Sequence, residues 1–202
     1  MLVEGKWTTK WHPYQANDTN GRFVRQQSSV RHWVTSDGAA GPTGRAGFRA
    51  EAGRYTLYVA LICPWASRTL MARALKGLEQ TIEVVVLEPT LTDQGWRFAE
   101  GLERQLGRPP LEFLHQLYVS ALPDYTGRAT VPVLWDRKTR TIVNNESADI
   151  LQMLNTAFVA FADDTIDLRP SHLASLIDVL NKDLYENLNN AVYEAGFAKS
   201  QR

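Results

Sequence analysis

The order of predicted elements places this chain in the α/β class: a sheet built from a β-α-β unit and a β-β-α unit, followed by the start of an all-helical region. Three observations carry that reading. The run Tyr55-Thr56-Leu57-Tyr58-Val59-Ala60-Leu61 is rich in β-formers and leads directly into a helical pattern opening at Pro64. A second β-forming run, Ile82-Glu83-Val84-Val85-Val86-Leu87, follows that helix, so the crossover implies parallel pairing. Two further strands and a helix then follow Val131.

Composition sets the outer limits. The chain has 202 residues, 44% of them hydrophobic and 22% charged, which fits one large domain or two small ones. It carries 22 Lys plus Arg against 22 Asp plus Glu, so no global field draws it to nucleic acid or to an acidic membrane surface. A single cysteine cannot close an internal disulfide and fits a reducing, cytoplasmic setting. Met1 to Trp7 lack the apolar core of a signal peptide, and no apolar run approaches the ~20 residues of a membrane helix.

Residues 1–50 read as an N-terminal arm. They show little periodicity, but Trp7, Trp11 and Trp33 suggest an arm that packs on a domain. The glycines between Gly38 and Gly44 neither follow a strand nor open a helix, which argues against a dinucleotide loop. Residues 51–156 read as the α/β domain. Its strand at 55–61 is followed by a helix at about 64–76, with Pro64 suited to the first helical position and Gly77 placed to end it. Residues 88–127 read as a long irregular insertion holding a short helix from Leu111 to Val119.

Val131-Pro132-Val133-Leu134-Trp135-Asp136 and Thr141-Ile142-Val143 read as strands joined by the polar turn Arg137 to Arg140. Pro132 cannot donate to a ladder and needs an edge or a special conformation. Asn144-Asn145-Glu146-Ser147 supplies helix-start chemistry, and Ile150, Leu151 and Leu154 form the buried face. Residues 157–202 read as a linker and the first part of a helical domain. Leu173, Leu176, Ile177, Leu180, Leu184, Leu188 and Val192 form one apolar stripe. Such a stripe needs covering. It is expected to pack on the first domain or on another chain, or to belong to an incomplete helical domain.

The sharpest chemical feature is Cys63, between strand end and helix start. Free cysteines are mostly small buried core residues. At a helix N-terminus, however, unsatisfied N–H groups and the positive end of the helix dipole favour the thiolate, which is the nucleophile. His12, His32, His115 and His172 are scattered without metal-ligand spacing, so no metal site is expected.

The β-α-β, β-β-α order with Cys63-Pro64 and Val131-Pro132 resembles the thioredoxin fold, and the appended helices narrow the resemblance to glutathione S-transferases. Leu57-Tyr58-Val59, Cys63-Pro64-Trp65-Ala66, Gly95-Trp96, Gly127-Arg128-Ala129-Thr130-Val131-Pro132, Asn145-Glu146-Ser147 and Asn189-Asn190-Ala191-Val192-Tyr193-Glu194 resemble the glutathionyl-hydroquinone reductases, the Xi class of that superfamily. The resemblance implies that Cys63 is the nucleophile and that Tyr193 exchanges a proton with the quinol oxygen. It implies glutathione contacts from Trp96, Arg128, Ala129, Thr130, Val131, Glu146 and Ser147, and a cis bond before Pro132. Glutathione would be the co-substrate, glutathionyl-hydroquinones the substrates and a homodimer the assembly, with no bound cofactor.

Cys-Pro-Trp-Ala has no second cysteine three positions on, so the resolving thiol must come from solution. A general thiol transferase, a dehydroascorbate reductase and an inactive truncated glutathione-binding relative stay open as alternatives. Read alone, Trp96 is a loop anchor, Arg128 a solvated cation, Asn145-Glu146-Ser147 a helix cap and Tyr193 packing on an amphipathic helix.

Overall fold

A five-stranded sheet organises the larger part of the chain, in the order β5 (Gly95–Phe98), β4 (Glu83–Thr92), β3 (Tyr55–Val59), β6 (Val133–Asp136) and β7 (Thr141–Asn144). The structure, a computed structural model, describes residues 1–10, 19–21, 23–101, 111–163 and 165–197. Trp11 and His12 lie outside the described residues. The chain forms two compact units. The first comprises Met1–Thr8 and Ser28–Leu168, the second Thr9–Gln27 and Arg169–Arg202.

This division differs from the expected arm at 1–50. Leu2, Val30, Trp33, Val34, Phe48 and Ala50 are buried in the core of the first unit, so most of the arm is part of that unit. Residues 157–168 join it as well. The arm holds a hairpin that the sequence reading did not anticipate, β1 (Leu2–Val3) and β2 (Lys6–Trp7). Its two-residue turn has positive φ at both Glu4 and Gly5, as this tight hairpin geometry requires. A Cβ on Gly5 would stand 1.8 Å from the Pro123 carbonyl oxygen, so only glycine fits. Strands of two residues are too short to show a period. Further along the arm, His32 N–H donates to Val143 O at 2.9 Å and Asn145 N–H to Val30 O at 3.0 Å.

β3 (Tyr55–Val59) is the central strand and is buried along its whole length. It pairs in parallel with β4 (Glu83–Thr92), from Thr56↔Glu83 to Val59↔Val86, and antiparallel with β6 (Val133–Asp136). Burial on both faces suits its run of aromatic, aliphatic and β-branched residues. The strand ends two residues earlier than expected. Cys63 N–H bonds back to Ala60 O at 2.9 Å, and the turn exposes Leu61 and Ile62.

α1 (Pro64–Leu75) presents Ala66, Thr69 and Ala72 inward and packs against α3 (Ser147–Thr156). It closes as expected at Gly77, which has φ +62. Leu78 N–H reaches Arg73 O and Gly77 N–H reaches Ala74 O, both at 3.0 Å, satisfying two orphan carbonyls.

Residues 88–98 are not irregular. β4 runs on to Thr92 and turns into β5 (Gly95–Phe98), with Leu91↔Trp96 and Thr92↔Gly95 paired. The register shifts between Leu87 and Leu91, where Pro89 lacks an N–H for the ladder. That proline masks the strand signal in the sequence. α2 covers Leu114–Ala121, and Gln116 Oε1 caps it by accepting from the backbone N–H of Glu112 and Phe113. β7 (Thr141–Asn144) pairs antiparallel with β6, and the Val131-Pro132 bond is cis.

The start of β3 is locked to the end of β6 by a buried ion pair. Arg54 Nε and Nη2 donate to the two carboxylate oxygens of Asp136 at 2.9 and 2.7 Å. Thr139 Oγ1 and Lys138 N–H also donate to this carboxylate.

In the second unit the expected helix is interrupted. α4 (Ala174–Leu184) passes through a π-helical stretch at Tyr185–Asn189 into α5 (Ala191–Phe197). Of the apolar stripe, Leu173, Leu176, Leu180, Leu184, Leu188 and Val192 are exposed. Phe23, itself buried, stacks on Tyr193 at 6.3 Å. The Arg25 guanidinium lies 4.8 Å from the centre of the same ring. No helix among the described residues is long and apolar enough to cross a membrane.

Candidate functional site

The strand directions bring most of the predicted site residues to one end of the sheet. β3 ends at Val59, shortly before Cys63. β6 runs opposite to β3, so its start, after Val131 and Pro132, lies at that same end. β7 runs opposite to β6 and ends at Asn144, two residues before Glu146. β5 begins beside the end of β4, which carries Trp96 past the same rim. In α/β sheets, loops beyond the strand ends are where ligands bind.

Cys63 is the N-cap of α1, half-buried, in extended conformation (φ −90, ψ 113). Its carbonyl accepts from Ala66 and Ser67 N–H, which opens the helix. The place of Cys63 at a helix start predicts a thiol facing the free amides of the first turn. Instead it makes no cap bond there, and Sγ lies 3.7 Å from Val131 O, to which it donates. Cys63 Sγ and Val131 are therefore in direct contact across the β3–β6 seam.

Two phenols hold the 128–131 stretch. Tyr125 Oη donates to Arg128 O at 3.2 Å, and buried Tyr118 Oη donates to Thr130 O at 2.9 Å. Burial pushes the pKa of both phenols above the ordinary tyrosine value, so both stay protonated donors. Leu2 and Gly127 exchange backbone hydrogen bonds at 2.9 and 3.0 Å, which places the β1–β2 hairpin behind the stretch. Arg128, Ala129 and Thr130 are half-buried, as is Trp96.

Glu146 is the N-cap of α3. Its Oε1 accepts from Ala148 N–H at 3.2 Å and its Oε2 from Ser28 Oγ at 2.9 Å. Ser147 is buried, and its Oγ accepts from Arg68 Nε at 3.0 Å and Nη2 at 2.7 Å. Arg68 Nη2 also stands 3.5 Å from Glu146 Oε1. α1, which Cys63 caps, is thus bonded directly to the start of α3.

Sequence reasoning missed Arg68, Ser28 and the bridging role of Asn145. Asn145 Nδ2 donates to Tyr118 Oη at 3.1 Å, and its Oδ1 accepts from Val30 N–H at 3.2 Å. These partners are 27 and 115 residues away, so local patterning holds no trace of them. Arg68 had one available signal, its place on the helix opened by Cys63. Tyr193 belongs to the second unit. Among the described residues no group of three His, Cys, Asp or Glu side chains is placed to hold a metal ion.

Comparison with known proteins gives a consistent answer. The family profile "Glutathione S-transferase, N-terminal domain" matches residues 62–157. The glutathionyl-hydroquinone reductase YqjG of Escherichia coli K12 is 50% identical over 203 residues, spanning 100% of this chain and 61% of that protein. The glutathionyl-hydroquinone reductase PcpF of Sphingobium chlorophenolicum is 40% identical over 202 residues, with 100% and 61% covered. The glutathione-bound structure of YqjG superposes with a TM-score of 0.81 at 47% identity, covering 99% of this chain and 59% of that one. A Xi-class transferase from Natrialba magadii gives 0.80 at 42% identity, covering 100% and 58%. The chain spans about three fifths of the length of the relatives it matches.

Proposed function

This chain belongs to the Xi class of glutathione S-transferases, and on that premise we propose that it carries the thiol-exchange half of a glutathionyl-hydroquinone reductase. The observation that carries the reading is the 3.7 Å approach of Cys63 Sγ to Val131 O. A nucleophile at a helix start lies beside a backbone segment suited to pair with an extended peptide.

In the proposed reaction the Cys63 thiolate attacks the sulfur of a glutathionyl-hydroquinone. The bond from that sulfur to the ring carbon breaks as the Cys63–glutathione disulfide forms. The ring carbon keeps the electron pair and takes a proton, and the hydroquinone leaves. A second glutathione thiolate then attacks the mixed disulfide, freeing Cys63 and releasing glutathione disulfide. Tyr193 is assigned the proton exchange with the quinol oxygen.

Glu146 receives the γ-glutamyl ammonium, and Ser147 with the α3 amides the γ-glutamyl carboxylate. The Val131 backbone pairs with the cysteinyl amide. Arg128, with Ala129 and Thr130 beside it, faces the glycyl carboxylate, and Trp96 closes the rim. A cytoplasmic setting belongs to this reading, supported by the single unpaired cysteine. So does a homodimer, supported by the exposed leucines of α4.

The test is a mass spectrum of the protein incubated with a glutathionyl-hydroquinone. A glutathione adduct on Cys63 with one equivalent of hydroquinone released is the expected result, lost in Cys63→Ala. An adduct formed from glutathione disulfide but never from the hydroquinone conjugate would instead make this a general thiol transferase.

A further inference from the structure

Arg68 joins α1 to the start of α3. It stands on α1, five residues beyond the nucleophile, and its guanidinium lies 5.0 Å from the centre of the buried Trp65 ring. That ring contact restricts the side chain without neutralising it. From there Nε and Nη2 both reach Ser147 Oγ, and Nη2 lies 3.5 Å from Glu146 Oε1.

Two consequences follow from donor and acceptor counting. A hydroxyl has one proton to give and two lone pairs. Arg68 supplies two N–H donors to the Ser147 oxygen, which fills both lone pairs and leaves the hydroxyl proton to be donated to a further partner. The start of α3 therefore offers a fixed O–H and an adjacent guanidinium, both suited to an anion. Glu146 stands beside them with the opposite charge. A guanidinium and a carboxylate 3.5 Å apart complement a ligand group carrying an ammonium and a carboxylate on one carbon.

We propose that Arg68 is a specificity-determining residue that reads the γ-glutamyl end of the thiol substrate. It does so by fixing Ser147 as a donor and by placing positive charge at the γ-glutamyl carboxylate. This rests on the glutathione-site reading above. It adds that discrimination between glutathione and thiols lacking the γ-glutamyl group depends on α1 as well as on α3.

The test compares two disulfides as donors to Cys63 in the full chain, glutathione disulfide and the disulfide of cysteinylglycine. In each case the Cys63 thiolate attacks one sulfur, one thiolate leaves and a mixed disulfide remains, so the chemistry at sulfur is shared. The wild-type chain should react faster with glutathione disulfide. Arg68→Gln should lower that preference by about tenfold, the effect of one charge-assisted hydrogen bond, with the cysteinylglycine rate little changed. Arg68→Lys, which keeps the charge but not the fork on Ser147, should fall between them.

Because each preference is a ratio within one protein sample, partial loss of folded protein cancels. Equal losses with both disulfides, or an unchanged ratio in Arg68→Gln, would overturn the role of Arg68. A wild-type chain with no preference at all would overturn the glutathione-site reading and this inference together.

Discussion

Tyr118 Oη is the meeting point of Thr130 and Asn145: it donates to the Thr130 carbonyl at 2.9 Å and accepts from Asn145 Nδ2 at 3.1 Å. Through this one buried hydroxyl, the stretch before β6 and the residue preceding Glu146 share a support. The phenol is fully enclosed, so neither bond is exchanged for water.

Tyr118→Phe removes the hydroxyl and leaves the buried Asn145 amide and the Thr130 carbonyl without that partner. We expect a stability loss of about 1–3 kcal/mol. Glutathione affinity should fall as well, since both arms of the site lean on the same atom. Urea unfolding and glutathione titration of the same variant measure the two effects. Lower stability with unchanged affinity would confine Tyr118 to the core.

Ser147→Ala should weaken glutathione binding by about 1–2 kcal/mol, the loss of one charge-assisted hydrogen bond. Arg128→Ala should weaken it independently, because the two residues are assigned to opposite ends of the tripeptide. Calorimetric titration of each variant and of the double variant checks this. Unchanged affinity in both single variants would reduce Ser147 to a helix-start residue and Arg128 to a surface cation.

At the far end of the sheet, Asp136→Asn should destabilise the first unit by about 3 kcal/mol, since it strands the Arg54 charge. This is the low end of the cost for breaking a buried pair, because Glu51 still contacts Arg54 Nη1 at 2.7 Å. Glutathione binding should be retained, as the pair lies at the rim opposite Cys63. Chemical unfolding beside a binding titration separates the two.

A pH dependence follows from two histidines. Burial holds both His32 and His115 below the ordinary value of 6.5, aided by Arg45 at His32 and by the terminal ammonium at His115. His32 Nδ1 accepts from Arg45 N–H at 3.2 Å, and His115 stacks on Trp7 at 4.5 Å with its buried Nε2 unbonded among the described residues. The unfolded chain takes up protons first as pH falls. Stability is therefore fully present above about 6.5 and declines below it, through the depressed folded values. Thermal unfolding from pH 8 to pH 5 should show this decline, and His32→Gln with His115→Gln should flatten it. An unchanged slope in the double variant would assign the acid sensitivity elsewhere.

The parts of this molecule that were legible in the sequence are those set by local patterning. β3, α1, the Gly77 stop and the β6–β7 pair all follow from runs, periods and punctuation within about fifteen residues. Cys63 was legible because strand end, cysteine and proline are adjacent. The β4–β5 hairpin was hidden by Pro89, which reads as a strand breaker but sits where the ladder shifts register. The orientation of the thiol depended on Val131, 68 residues later, and the grip on Ser147 depended on an arginine 79 residues earlier. Contacts of that range leave no periodic mark.

The pairing of residues 30–32 with the end of β7 has a consequence for solubility. β7 is the outermost strand on its side, and an outermost strand offers a row of unpaired amides and carbonyls to any other extended chain. Here His32 N–H and Val30 O occupy part of that row, and Thr43 Oγ1 clips the covering segment by bonding Arg31 O at 2.6 Å. The segment serves as a fitted cap on a surface that would otherwise recruit neighbours. Removing it would convert a closed border into a template for intermolecular strand addition, so its hold on β7 guards the protein against aggregation.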